Sequence, residues 1–111
     1  MAPYTPRRFD IIQLSFDPQA GREQAGRRPA YVLSDDRYNA LTRLCVVCPI
    51  TTRVKGFPFE VALPQGFRTR GVVLCDHVKS ISWDQRGSEF IENCPDIAPR
   101  VLGMLKALIG L

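Results

Sequence analysis

Two stretches of this chain combine hydroxyls, cations and glycine in a way that could do chemistry. The first is Gly21-Arg-Glu-Gln-Ala-Gly-Arg-Arg-Pro29, and the second is Pro49-Ile-Thr-Thr-Arg-Val-Lys-Gly56. Transesterification of an RNA phosphodiester by its own 2′-hydroxyl asks a protein for a proton acceptor, charge stabilisation at the pentacoordinate phosphorus, and in-line positioning. Glu23 could accept the proton, Arg28 could neutralise the phosphate, and the Thr51 hydroxyl could hold a phosphate oxygen. The same residues would also make an ordinary solvated loop, and spacing alone favours that plainer reading.

Other chemistries lack their residues. His77 is the single histidine, so a two-histidine acid–base pair is impossible. The carboxylates are scattered, which argues against a two-metal centre, and adjacent Asp35 and Asp36 suit a helix start. No nucleophile-elbow serine motif, phosphate-binding glycine loop or dinucleotide fingerprint is present. Cys45 and Cys48 have the C-x-x-C spacing but lie in a β-branched run, where residues three apart face opposite sides. With Cys75 and Cys94 they read as buried small hydrophobes, so neither a metal nor a cofactor is expected.

The elements that must carry these groups are mostly strands. Phe9 to Phe16 alternates, with Ile12, Leu14 and Phe16 on one face, and a polar loop from Gln19 to Arg28 follows. Pro29 opens a second strand, Ala30 to Ser34. Ser34 or Asp35 can cap a short helix through about Leu41. Leu44 to Pro49 is a third strand, and the alternation of Phe57, Phe59, Val61 and Leu63 predicts a half-buried fourth. Val72 to Cys75 and Val78 to Trp83 supply one or two more, after a basic turn in which Gly66 and Gly71 bracket Arg68 and Arg70. From Pro99 the period changes to that of a helix, whose wide apolar face includes Val101, Leu102, Met104, Leu105, Leu108 and Ile109. That face must press into the core or be shared with another subunit. The fold class expected is mainly β (α+β): a small, open, SH3-like barrel with a short internal helix and a C-terminal helix.

Composition sets the outer limits. The 111 residues suit a single domain spanning 1–111, and no repeat or linker divides them. No apolar run approaches the roughly 18 residues of a membrane span, and the amino terminus has no signal-peptide core, so a cytoplasmic location is expected. The net charge is +4, and twelve of the fifteen cations are arginine, the residue suited to bidentate phosphate contacts and base stacking.

The order of several segments resembles the MazF/PemK toxin family. These are Phe16-Asp-Pro18, Gly21 to Ala30, Val32-Leu-Ser34, Pro49-Ile-Thr-Thr52, Lys55-Gly-Phe-Pro-Phe-Glu-Val61 and Asp76-His-Val-Lys-Ser-Ile81. Any one block is weak, but six in register span nearly the entire chain. The resemblance implies a sequence-specific, metal-independent endoribonuclease that cuts single-stranded RNA to 2′,3′-cyclic phosphate and 5′-hydroxyl ends. It implies the toxin of a type II toxin–antitoxin pair, a homodimer, inhibited by a MazE-like antitoxin with a disordered acidic tail.

By the same resemblance the family's catalytic Arg falls on Arg28, its catalytic Thr on Thr51 and its loop Glu on Glu23. Arg22, Arg27, Arg53, Lys55 and Lys79, with Asp76 and His77, would form the RNA-binding surface. Two positions depart from the pattern: Arg27 where His is frequent, and His77 where Gln is familiar. The rival readings are a CcdB-like gyrase poison and an RNA-binding module without catalysis, both on the same fold. The gyrase poisons depend on a tryptophan near the carboxyl end, whereas this chain's sole tryptophan is Trp83.

Overall fold

The computed structural model describes residues 4–17 and 26–111. The elements run β1 (Asp10–Ser15), β2 (Arg27–Val32), α1 (Asp36–Thr42), β3 (Leu44–Thr51), β4 (Glu60–Ala62), β5 (Val72–Leu74), β6 (Lys79–Ser82), β7 (Glu89–Asn93) and α2 (Ala98–Ile109). The strands join in the order β4-β5-β3-β2-β1-β7, with β6 on β3 beside β5, and every pairing is antiparallel. The sheet does not close. It is the mainly β, α+β architecture that the strand pattern and the C-terminal helix predict.

Alternation along the strands sorts the apolar residues into two clusters, one on each sheet face. Ile12, Leu14 and Phe16 join Ala30, Val32, Cys45, Val47, Ile81 and Trp83 in one. Ile11, Tyr31, Cys48, Ile50, Val61, Val73, Cys75, Ile97 and Val101 build the other, under α2. Cys45 and Cys48 therefore do point apart, and all four cysteines are free and buried.

Several boundaries differ from the sequence reading, each for a local reason. Phe9 has φ +71°, so regular strand geometry starts at Asp10, although the Phe9 amide still donates to the Val32 carbonyl (2.7 Å) and its carbonyl accepts from the Cys94 amide (2.9 Å). Asp10 is fully buried and accepts from the Tyr4 hydroxyl (2.5 Å), Asn93 Nδ2 (2.9 Å) and the Arg7 amide (3.0 Å). The expected fourth strand shrinks to three residues. Before it, Gly56 turns at φ +76°, the Glu60 amide closes on the Phe57 carbonyl, and the Glu60 carboxylate accepts from the Lys55 and Gly56 amides. Phe57 is left 60% exposed in that turn. The segment from Val72 to Trp83 is two strands, separated by a 3₁₀ turn at Cys75–His77. β7 carries a polar edge and no strong alternation, which hid it in the sequence.

At α1 the cap is Asp35, whose Oδ1 accepts from the Tyr38 amide (3.0 Å). Ser34 instead donates to buried Asn39 and accepts from the Val46 amide, tying the helix to β3. The main-chain carbonyl of Asn39 also receives the Trp83 indole N–H. In α2, Val101 is fully buried and Met104 and Leu105 half-buried, while Leu102, Leu108 and Ile109 are exposed.

Candidate active site

Arg28 and Thr51, singled out from the sequence, lie just past the point where β2 and β3 stop pairing. Their ladder runs Val32↔Val47, Tyr31↔Cys48, Ala30↔Pro49 and ends there. Carried two residues further, that register sets Arg28 across from Thr51, and directly opposed antiparallel residues share a face. It is the face of Ala30, Val32 and Val47. Beyond Ala30, β2 pairs only with β1, with Leu14↔Arg28 and Ser15↔Arg27 in register. Arg27 and Arg28 thus belong to a strand, not to the polar loop that the sequence reading placed them in. This stretch is edge-like, and so it accommodates Pro29 inside the strand rather than at its start.

Lys79 lies on the same face, because it pairs with Val47 in β6. Its ammonium lies 5.8 Å from the centroid of the buried Phe16 ring. Phe16, Arg28, Thr51 and Lys79 therefore fall on one face of the sheet. Thr51 is only 5% exposed, and its Oγ1 accepts from the Arg53 amide at 3.1 Å. That bond orients the hydroxyl so that its hydrogen is its remaining donor. The backbone of Thr51 is fixed from behind by Gly71 (φ +114°), where a Cβ would sit 2.1 Å from the Thr51 carbonyl oxygen.

Residues 18–25 join β1 to β2 at this end, so Arg22 and Glu23 lie outside the described residues. The base of that connection is pinned. The Phe16 amide donates to the Gly26 carbonyl and the Gly26 amide to Asp17 Oδ1, both at 2.9 Å. Arg86, from the β6–β7 turn, donates to the carbonyls of Ser15 (3.1 Å) and Asp17 (2.7 Å).

Arg27 points away from Arg28. Its guanidinium donates to the Gly87 carbonyl (2.6 Å) and forms an ion pair with Glu89. The departure from the family's frequent His is thus matched by an acid on β7. Arg53 and Lys55 are exposed on the turn after β3, and Lys55 stands over the exposed Phe57 ring at 5.8 Å. Asp76 is exposed and His77 half-buried in the 3₁₀ turn preceding Lys79.

Sequence reasoning missed Gly71, Arg86 and Glu89 as parts of this site. Their partners lie 20, 69 and 62 residues away, as with Thr51–Gly71, Asp17–Arg86 and Arg27–Glu89, so no local spacing reveals them. Among the described residues no three His, Cys, Asp or Glu side chains group as a metal-binding set. Nor is any helix there long and apolar enough to cross a membrane. Burial pushes the Cys45 thiol up to about 12. Cys48, sharing a hydrogen bond with Cys75 inside the core, is likewise held well above its ordinary value.

The open antiparallel sheet with its C-terminal helix is a fold that many solved chains share. The chain is similar to MazF from Deinococcus radiodurans, with a TM-score of 0.94 at 46% identity over 98% of this chain and 100% of the other. A MazE–MazF structure from the same organism superposes with a TM-score of 0.86 at 41% identity, covering 98% and 99% of the two chains. Among curated proteins, the endoribonuclease toxin MazF of Escherichia coli K12 is 46% identical over 108 residues, covering 97% of this chain and 94% of that one. Endoribonuclease PemK of Escherichia coli is 38% identical over 92% of this chain and 80% of its own. Residues 7–106 match the family described as the PemK-like, MazF-like toxin of type II toxin–antitoxin systems, and this chain belongs to that family.

Proposed function

We propose that this chain, an endoribonuclease toxin by family, acts as one domain that cleaves single-stranded RNA at short sequences without a metal ion. The observation that supports the reading is the β2–β3 register, which, continued two residues past its last pair Ala30↔Pro49, would bring Arg28 across from Thr51, together with the Lys79 ammonium beside the Phe16 ring. The 2′-hydroxyl attacks the adjacent phosphorus, the P–O5′ bond breaks, and the products are a 2′,3′-cyclic phosphate and a 5′-hydroxyl. Arg28 stabilises the charge on the phosphorane; its proton is held too firmly (pKa above about 12) for it to serve as the acid. Thr51 donates to a non-bridging oxygen. Glu23 takes the 2′-hydroxyl proton, and the leaving 5′-oxygen takes its proton from water. Lys79, Arg53, Lys55 and Arg22 draw the backbone in, and Asp76 and His77 border its path. Arg27 contributes by holding the start of β2 rather than by touching RNA.

The exposed apolar residues of α2 are the surface for pairing two copies, and closed two-fold dimers are the commonest oligomer. A MazE-like antitoxin with an acidic, disordered tail fits the basic site, where it inhibits by covering Arg28 and Glu23 and neutralising their surroundings. Both molecules act in the cytoplasm.

The deciding experiment incubates purified protein with a long single-stranded RNA in EDTA and maps the ends. Defined cuts with cyclic-phosphate and 5′-hydroxyl termini are expected. Activity that disappears in EDTA and returns with magnesium would overturn the mechanism, and RNA binding without cuts would make the chain a binding module.

A further inference from the structure

The turn that joins β3 to β4 enters the mechanism above only through its cations, Arg53 and Lys55. Its place follows from register. Thr51 pairs with Val72, and Val72 with Ala62, so these three residues share one face of the sheet. Glu60, two residues before Ala62 on β4, belongs to that face as well. Ile50, Val73 and Val61 form the neighbouring row, and all three lie in the core cluster of the opposite face. β4 is two strand spacings from β3, which puts Ala62 about 10 Å from Thr51.

The turn is fastened to that face at both ends. At its start the Arg53 amide donates to Thr51 Oγ1 (3.1 Å). Further on, the Glu60 carboxylate accepts from the Lys55 amide (3.2 Å) and the Gly56 amide (2.9 Å). The turn is thus tied to the hydroxyl proposed to hold the phosphate and to a carboxylate on the same face as that hydroxyl. Phe59 and Val61 pack in the opposite core, but Phe57 joins neither cluster. Its ring is largely exposed, with the Lys55 ammonium over it. A bare aromatic ring gains by being covered, and a turn already held by its own bonds loses little order when that happens.

We infer that the Phe57 ring stacks on one unpaired nucleobase of the RNA, beside the phosphodiester held at Thr51, while Lys55 meets an adjoining phosphate. The inference rests on the endoribonuclease reading. Single-stranded RNA presents splayed-out bases next to charged phosphates, and a ring with a cation beside it takes both. Every base has a π-face, so stacking on Phe57 fixes where the strand sits rather than which base it carries. Glu60 acts through the turn and is a positioning residue for the pair.

The test compares Phe57→Leu, which keeps an apolar side chain without a ring, with Phe57→Tyr, which keeps the ring. Substrates are short single-stranded RNAs carrying the mapped cleavage site, made abasic at one flanking position at a time. In the wild-type protein one such position should lower kcat/KM about tenfold, the order expected for one lost stacking contact. Phe57→Leu should cleave the intact RNA about tenfold less well and lose nothing further at that position. Phe57→Tyr should behave as wild type, and both variants should melt as wild type does because the side chain is exposed. If wild type cleaves no RNA, the endoribonuclease reading fails and this inference falls with it. If wild type cleaves but Phe57→Leu keeps the wild-type profile across the abasic RNAs, or Phe57→Tyr is as impaired as Phe57→Leu, stacking on Phe57 is overturned. A change in sedimentation of Phe57→Leu would assign the ring to contact between copies and overturn it as well.

Discussion

Gly71 stands directly behind Thr51, with the site of its missing Cβ 2.1 Å from the Thr51 carbonyl oxygen. No side chain fits there, and φ +114° is itself unfavourable for any other residue. Gly71→Ala must therefore push β5 away from the end of β3. Forced overpacking of this kind costs about 1–3 kcal/mol, with strain from the positive φ in addition. Thermal unfolding should show a clear loss, and RNA cleavage should fall by more than the unfolded fraction explains. A variant as stable and as active as wild type would dissociate Gly71 from the site.

Arg28→Ala and Thr51→Ala should each reduce single-turnover cleavage by about 10²–10³, the usual cost of losing one preorganised donor. Circular dichroism should be unchanged. Glu23→Gln should act less strongly and flatten the alkaline-going limb of the pH–rate profile, since water can accept the proton in its place. Near-normal turnover by Arg28→Ala would remove it from the mechanism.

The Arg27–Glu89 pair is a different case. Glu89 is largely exposed, so the pair is worth no more than about 1 kcal/mol to stability. Its expected effect is on placement. Glu89→Gln should slow cleavage a few-fold with little change in melting temperature, and Arg27→Ala combined with it should add almost nothing further. Independent, additive losses would mean that Arg27 meets RNA directly.

Much of this fold was legible. The alternation of Ile12, Leu14 and Phe16 gave β1, the apolar run at Leu44 gave β3, and the 3.6-residue period after Pro99 gave α2, because each pattern reports which side chains are buried. Phe57 and Phe59 misled for the same reason: aromatic alternation resembles a strand, but Gly56 and the Glu60 carboxylate make a turn of it. The site divides similarly. Arg28 and Thr51 stood in motifs whose order identifies a family. Gly71, Arg86 and Glu89 act through contacts across the fold, and a side chain's distant partner leaves no periodic trace in the chain.

Glu92 gives a pH dependence with a definite sign. Partial burial works to raise its pKa, but the bonds from the Arg68 and Thr69 amides and the Thr69 hydroxyl outweigh it, and the carboxyl lies below its ordinary value. A depressed carboxylate stabilises the fold above the unfolded-state pKa, about 4.3, and that contribution is lost as pH falls through the lower folded value. Glu92→Gln should therefore be less stable than wild type at neutral pH, with the gap narrowing in acid. Denaturant midpoints at pH 7 and pH 3 check this; a constant gap would count against the carboxylate.

The buried thiols should be chemically quiet. Burial pushes Cys45 up to about 12, and Cys48 is raised by its bond to Cys75 and by burial. Thiolate is the reactive form, so alkylation at pH 8 should proceed only as fast as the protein opens. Rapid labelling of either residue in the folded protein would show that the core admits reagent.

The bonds that fasten Phe16 to Gly26, and Arg86 to Ser15 and Asp17, make the span between them an insert with its two ends already joined. For such an insert the cost of extra length is small, about 0.6 kcal/mol for each doubling. Residues 18–25 other than Glu23, the proposed base, can consequently be exchanged or lengthened as a cassette while the sheet that holds Arg28 and Thr51 stays intact. The scaffold is thus suited to selecting new RNA target sequences from a loop library in which Glu23 is kept.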